Sequence, residues 1–212
     1  MPTYRQETEL MQAHDAIRVC GIDEVGRGPW AGPVVAVAVV LDIAKIPRRL
    51  QRKLDDSKAL SREAREDIDA RLRDLFGHAV WAGFGEASVP EIDGINILQA
   101  SLLAMRRAHD ALPVAPDAAL VDGNKLPDLP CPARAVIGGD ALCLSIAAAS
   151  IIAKVARDRM MAELCEVHPG YGWRSNAGYG TPEHQAGLAR LGVTVHHRRS
   201  FAPIARLLAA AP

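Results

Sequence analysis

The chain has 212 residues, 49% of them hydrophobic, and a formal net charge of zero. That length suits one domain with a sizeable core and a modest appendage. The neutral balance excludes a global electrostatic signature of a nucleic-acid partner, so any such footprint must be local. The four cysteines, Cys20, Cys131, Cys143 and Cys165, form no C-x-x-C pair. This argues against a zinc site and favours reduced thiols, with Cys20 and Cys143 as small core residues.

Residues 1–16 are polar and read as a loose arm. The opening MPTYRQETEL is too polar for a signal peptide, and no apolar run has the length and continuity of a membrane span. A soluble, cytoplasmic protein is expected. Residues 17–23, IRVCGID, read as a strand ending on acidic residues. GRGPWAGP then connects to VVAVAVVLDI, a β-branched second strand, so a long hairpin distorted near residues 26–32 is expected. Residues 57–75 read as a charged amphipathic helix with Ser57 and Ser61 as candidate N-caps. Residues 78–88 alternate as a third strand. Residues 89–111 carry the helical stripe Ile95, Leu98, Leu102, Met105 and Ala108. AALVDG (118–123) and ARAVIGGD (133–140) are two further strands, ending on Asp122 and Asp140. A long helix over 144–167 follows, then two shorter ones over 181–191 and 200–210. The last acid is Glu183; beyond it lie Arg190, Arg198, Arg199, Arg206, His184, His196 and His197, a local basic region. The order predicts a mixed α/β fold, an antiparallel meander followed by crossover strands.

Asp23–Glu24, Asp122 and Asp140 each fall at the C-terminal end of a predicted strand. If those strands are neighbours, the carboxylates converge at one edge of the sheet. They then repel one another unless a cation neutralises them, and Mg²⁺ or Mn²⁺ suits an all-oxygen site. Two such ions about 3.5–4 Å apart clamp the attacking and leaving oxygens of a phosphodiester. A lone Asp-Gly such as Asp122–Gly123 is equally an ordinary turn. Two adjacent acids after an apolar strand are harder to explain as structure alone, because one of them faces inward unless the strand ends there. In Gly26–Arg27–Gly28, glycines let backbone approach a ligand and Arg27 offers forked donors to a phosphate; a plain hairpin turn accounts for them as well. Ser150, Lys154 and Arg157, at i, i+4 and i+7, share one polar helix face that suits either a phosphate track or solvent. Asp158, beside them, pairs more naturally with a helical base than with a metal.

GIDEVGRGPWAGPVV, DSKALS, VDGNKLP, SIAAASIIAKVARDR, NAGYGTPEH and HHRRSFAP occur in this order over most of residues 17–204. Together they resemble the bacterial ribonuclease HII family. The resemblance implies a ribonuclease H-like fold, a mixed five-stranded sheet flanked by helices, with a C-terminal helical extension. The corresponding division is an arm over 1–16, a catalytic domain over 17–168 and a substrate-binding extension over 169–212. It implies cleavage of the RNA strand of RNA–DNA hybrids and incision 5′ of single ribonucleotides in duplex DNA, leaving 3′-hydroxyl and 5′-phosphate ends. The catalytic and metal-binding carboxylates would be Asp23, Glu24, Asp122 and Asp140, holding two Mg²⁺ or Mn²⁺ ions. Gly26, Arg27 and Gly28 resemble a loop that recognises the ribose 2′-hydroxyl through its backbone. Tyr179 resembles a tyrosine that stacks on the following sugar, so that the pair reads an RNA-to-DNA junction. Ser57, Lys58, Ser150, Lys154 and Arg157 are candidate phosphate contacts. Two positions depart from the family pattern: Gly138, where a basic or polar residue is common, and Ala177, where Lys is common. The partners implied are an RNA–DNA hybrid or a ribonucleotide-containing duplex, with a monomer expected and no protein partner required. Competing readings are another nuclease or resolvase of the same fold, a non-catalytic hybrid-binding module, and a metal-dependent phosphatase. The last has no use for the basic tail around Arg198 and Arg199.

Overall fold

A computed structural model describes residues 1–57 and 59–210. Its centre is a five-stranded sheet: β1 Val19–Val25, β2 Val34–Leu41, β3 Val80–Ala87, β4 Ala118–Asp122 and β5 Ala133–Val136, in the order β3-β2-β1-β4-β5. β1, β2 and β3 pair antiparallel, while β4 and β5 join parallel to β1. The meander-then-crossover order expected from the sequence is the one observed. The helices are α1 Arg5–His14, α2 Arg48–Gln51, α3 Arg62–Arg73, α4 Val89–Asp110, α5 Leu144–Val167, α6 Trp173–Asn176, α7 Pro182–Leu191 and α8 Ala202–Ala209.

The sheet is covered on both faces. Val37 and Val39 pack on the Ala- and Ile-rich surface of α5, including Ala148, Ile151 and Ile152. Ile22, Ala36, Ala38 and Val121 pack on Ala104 and Met105 of α4. All eight residues of β2 are buried, which explains its unbroken apolar sequence: no face is left for polar alternation. The long helix α5 is apolar around most of its circumference because it lies inside the molecule. Among the described residues, no helix is long and apolar enough to cross a membrane.

Four local expectations need correction. The arm over 1–16 contains α1, docked by a buried Glu7 whose carboxylate accepts from the amide (2.8 Å) and hydroxyl (2.7 Å) of Ser145. It thereby satisfies an open N–H in the first turn of α5 from outside the helix. The charged helix starts at Ser61, whose hydroxyl accepts from Ala64 N at 3.2 Å. Ser57 is buried against α5 instead. Helix α4 is interrupted at Asn96 (φ 67°, ψ 163°), whose side chain accepts from the amides of Leu98 and Gln99 and restarts the helix as a cap. The strand expected over 133–140 ends at Val136, and a 3₁₀ turn, Gly139–Ala141, carries Asp140. All four cysteines are free.

Candidate active site

Asp23 and Glu24 lie within β1 rather than beyond it, since β1 continues to Val25. Period-2 alternation therefore sends them to opposite faces. Ile22 packs on the α4 side, so Glu24 follows it there, next to Leu98, Ser101 and Asp122 in a small crevice. Asp23 turns toward α5. The strand ends and Asp122 ends β4 beside it, so the three carboxylates meet at the sheet edge. Their ligand oxygens all lie within 4.8 Å of one another. Burial, and then the charges of Glu24 and Asp122, push the Asp23 carboxyl well above its ordinary range. Burial also raises Glu24, against the pull of Arg27, whose Nη1 donates to Glu24 Oε1 at 3.1 Å.

The chemistry of this donor set fits a hard divalent cation. The cluster is all oxygen, it repels itself, and Glu24 Oε2 is buried with no hydrogen-bond partner among the described residues. Asp140 is not within that 4.8 Å trio. Its turn is tied to the trio by Gly139 N, which donates to Asp122 Oδ1 at 2.7 Å, while Asp140 Oδ1 accepts from Ala141 N. Asp158 is paired with Lys154 at 2.6 Å, as its place on the helix suggested.

The candidate phosphate contacts on α5 are corrected by burial. Ser150 and Ser57 are both buried, and the Ser150 hydroxyl donates to the Ser57 hydroxyl at 2.9 Å. Ser150 is therefore an interior contact of α5 rather than a surface one. Arg157 is 1% exposed. Its Nε donates to Pro33 O (3.0 Å), Nη1 to Ala177 O (2.9 Å) and Nη2 to Ala31 O (3.1 Å), so the buried group faces backbone carbonyls and not a phosphate at the surface. Lys154 is partly exposed and ion-paired. Lys58 lies outside the described residues.

The basic tail divides in the same way. Arg199 is exposed, but Arg198, His184 and His197 are fully buried. Arg198 donates Nε to Gly32 O (2.9 Å), Nη1 to Arg27 O (2.9 Å) and Nη2 to Gly26 O. Burial pushes the Arg198 guanidinium down to about 9 and that of Arg157 to about 10, so both stay charged at neutral pH. The histidines form a neutral chain. Thr194 N donates to His197 Nδ1 (2.9 Å), so His197 carries its proton on Nε2 and donates to His184 Nε2 (3.1 Å). Trp173 Nε1 donates to the same His184 nitrogen, and His184 Nδ1 donates to Tyr179 O at 2.9 Å. Burial, then the neighbouring His184, pushes His197 down to about 4.

These interior bonds bring together the two segments that the sequence suggested for substrate recognition. Trp30 N donates to Gly178 O (2.8 Å), and a Cβ on Gly28 would lie 3.2 Å from Tyr179 Cε1. The Tyr179 ring, 49% exposed, thus rests on the glycine loop, which runs on directly from Glu24. Gly26 takes φ +93°, and a side chain there would collide with Arg157. The glycine pattern was legible in the sequence. The bracing arginines were not, since their charge suggested surface.

The family model described as Ribonuclease HII matches residues 20–204. The ribonuclease HII of Paramagnetospirillum magneticum is 62% identical over 190 residues, covering 90% of this chain and 92% of that protein. Among solved structures, the ribonuclease H2 of Pyrococcus horikoshii superposes with a TM-score of 0.75 at 26% identity, covering 90% of this chain and 97% of that one. A ribonuclease HIII termed Bst, solved in complex with Mn²⁺, shares the fold with a TM-score of 0.71 at 23% identity, over 91% of this chain and 69% of that one. With its acidic cluster and ribonuclease H-like sheet, the chain belongs to the ribonuclease HII family and is a divalent-metal-dependent endonuclease of the ribonuclease H type.

Proposed function

We propose that the chain hydrolyses the RNA strand of RNA–DNA hybrids and incises duplex DNA 5′ of an embedded ribonucleotide, leaving 3′-hydroxyl and 5′-phosphate ends. One observation carries this reading: a three-carboxylate cluster stands at the foot of a glycine loop on which an exposed tyrosine rests. Asp23, Glu24 and Asp122 would hold the divalent cations, with Asp140 adding a carboxylate from the adjacent turn. Mg²⁺ or Mn²⁺, when bound, lowers the pKa of water and stabilises charge developing on the phosphate. The protein's own residues do the rest. Gly26, Arg27 and Gly28 bring backbone donors to the ribose, and the 2′-hydroxyl is the group that distinguishes RNA from DNA at one position. Tyr179 packs on the next sugar, where a deoxyribose fits and a 2′-hydroxyl crowds the ring. Arg27, half-exposed and bonded to Glu24 through one Nη1, has further guanidinium donors to offer a phosphate. The unit over 17–168 cuts, and the extension over 169–212 supplies Tyr179 and grips the duplex through exposed bases such as Arg199.

The test is cleavage in Mg²⁺ and in Mn²⁺ of three labelled substrates: a duplex with one ribonucleotide, a continuous hybrid and an all-DNA duplex. Incision 5′ of the ribonucleotide, with the DNA duplex untouched, is expected. Equal cleavage of the all-DNA duplex would replace this reading with a general nuclease or resolvase.

A further inference from the structure

We propose that Arg198 and Arg157 are positioning residues for ribonucleotide recognition: buried guanidinium forks that aim the amides of the loop over 26–28 outward. This rests on the proposed function, since it explains how that loop would read a ribose.

The argument begins with the peptide plane. In a trans peptide the C=O of one residue and the N–H of the next point in opposite directions. Arg198 holds the carbonyls of Gly26 and Arg27 inward with two nitrogens of one planar group. The N–H groups of Arg27 and Gly28 are therefore turned away from the interior. Among the described residues neither amide has a protein acceptor. Two adjacent free donors at the mouth of a carboxylate cluster are what a sugar hydroxyl or a phosphate oxygen needs.

The two arginines share the rest of the loop. Arg198 Nε takes Gly32 O, and Arg157 takes Ala31 O and Pro33 O. Arg157 also takes Ala177 O, which ties the glycine loop to the segment carrying Tyr179. That segment is fixed at its other carbonyls by Trp30 N on Gly178 O, His184 Nδ1 on Tyr179 O and Gln185 Nε2 on Gly180 O. Loop and tyrosine thus form one frame. Lysine cannot replace arginine here, because an ammonium has no planar fork to span adjacent carbonyls.

The experiment compares Arg198→Lys and Arg157→Lys with wild type. For each, kcat and KM are measured on the single-ribonucleotide duplex and on the continuous hybrid, at a temperature where circular dichroism shows the variant folded. A misplacement of about 1 Å can cost about 100-fold in rate. Arg198→Lys is therefore expected to lower kcat/KM on the single-ribonucleotide duplex by at least about 10-fold more than on the hybrid, where many successive riboses tolerate a loose reader. Arg157→Lys is expected to act in the same direction. Should Arg198→Lys not fold, Arg157→Lys decides alone. An equal fall on both substrates, tracking a fall in Tm, would overturn the proposal and leave the arginines as struts. Gly28→Ala, which crowds Tyr179, separates that failure from failure of the underlying reading. If Gly28→Ala lowers the junction preference and the lysine variants do not, only the bracing idea falls. If wild type has no preference and Gly28→Ala changes nothing, the loop does not read ribose at all and both fall.

Discussion

The carboxylate cluster and the frame beside it are built on opposite principles. In the cluster, Asp23, Glu24 and Asp122 repel one another, and Glu24 Oε2 is buried without a partner among the described residues. In the frame, Arg157, Arg198 and the His184–His197 chain satisfy one carbonyl after another. The first region is left incomplete for a ligand that brings charge. The second is completed by the protein so that it keeps one shape. On the proposed function, cutting takes place where electrostatics change on binding, and recognition where donors do not move.

The comparison breaks most visibly at Asp122. Asp122→Asn should lower single-turnover cleavage on the order of 1,000-fold or more, because it removes one of the three carboxylate charges gathered where the cation would sit. Duplex affinity, read in a binding titration without turnover, should remain. If cleavage persists, the cluster is not the cutting centre.

Acid should break the frame instead. His197 is held neutral with a folded pKa of about 4, below the ordinary value of 6.5. The unfolded chain therefore binds the proton more readily. The stabilising contribution is complete above pH 6.5 and is lost as pH falls through 4. Over that window wild type should lose on the order of 3 kcal/mol more than His197→Gln, read from denaturant midpoints at each pH. Parallel pH profiles would show that the histidine chain is not held neutral.

Cations should stabilise the cluster and leave the frame untouched. At about 100 times its dissociation constant, Mn²⁺ should add about 2.7 kcal/mol, or about 5–10 °C in Tm for a chain of this size. Asp23→Asn should remove most of that rise while raising the metal-free Tm, because it deletes a charge that burial disfavours. A metal-free Tm below wild type would mean that the cluster is not frustrated. Next in size, Tyr179→Ala should reduce preference for a single ribonucleotide over a continuous hybrid about 10-fold, the scale of one lost stacking contact. The smallest effect belongs to Glu7→Gln. Burial raises the Glu7 carboxyl, and its Oε2 has no partner among the described residues. The neutral amide keeps the acceptor used by Ser145 and should gain about 1 kcal/mol at pH 7, read by chemical denaturation.

Much of this was written in the sequence wherever local pattern and chemistry coincide. β2 announced itself by an unbroken apolar run, and α5 by its length, with the expected 144–167 matching Leu144–Val167. Asp23, Glu24 and Asp122 could be suspected of meeting because each sits at or near the end of a strand. The polar arm concealed α1 because a helix held by one buried carboxylate and one leucine looks solvated. The strand expected to reach Asp140 stopped early, because parallel pairing with β4 runs only as far as Asp122–Val136.

By itself, then, the sequence determined the strands, the two long helices and the placing of Asp23, Glu24 and Asp122 at or near strand ends beside the glycine loop, since hydrophobic period and residue chemistry are local properties. The roles of the charged side chains were decided only by tertiary structure. Lys154, Arg157, Arg198 and Arg199 read alike as candidate phosphate contacts or basic tail. Packing exposes Arg199, pairs Lys154 with Asp158, and buries both remaining guanidinium groups against backbone carbonyls. The physical reason is that a charge has no fixed preference for water once enough oriented carbonyl oxygens surround it. Only the fold can bring residues 26–33 and 177 around two arginines distant from them in sequence.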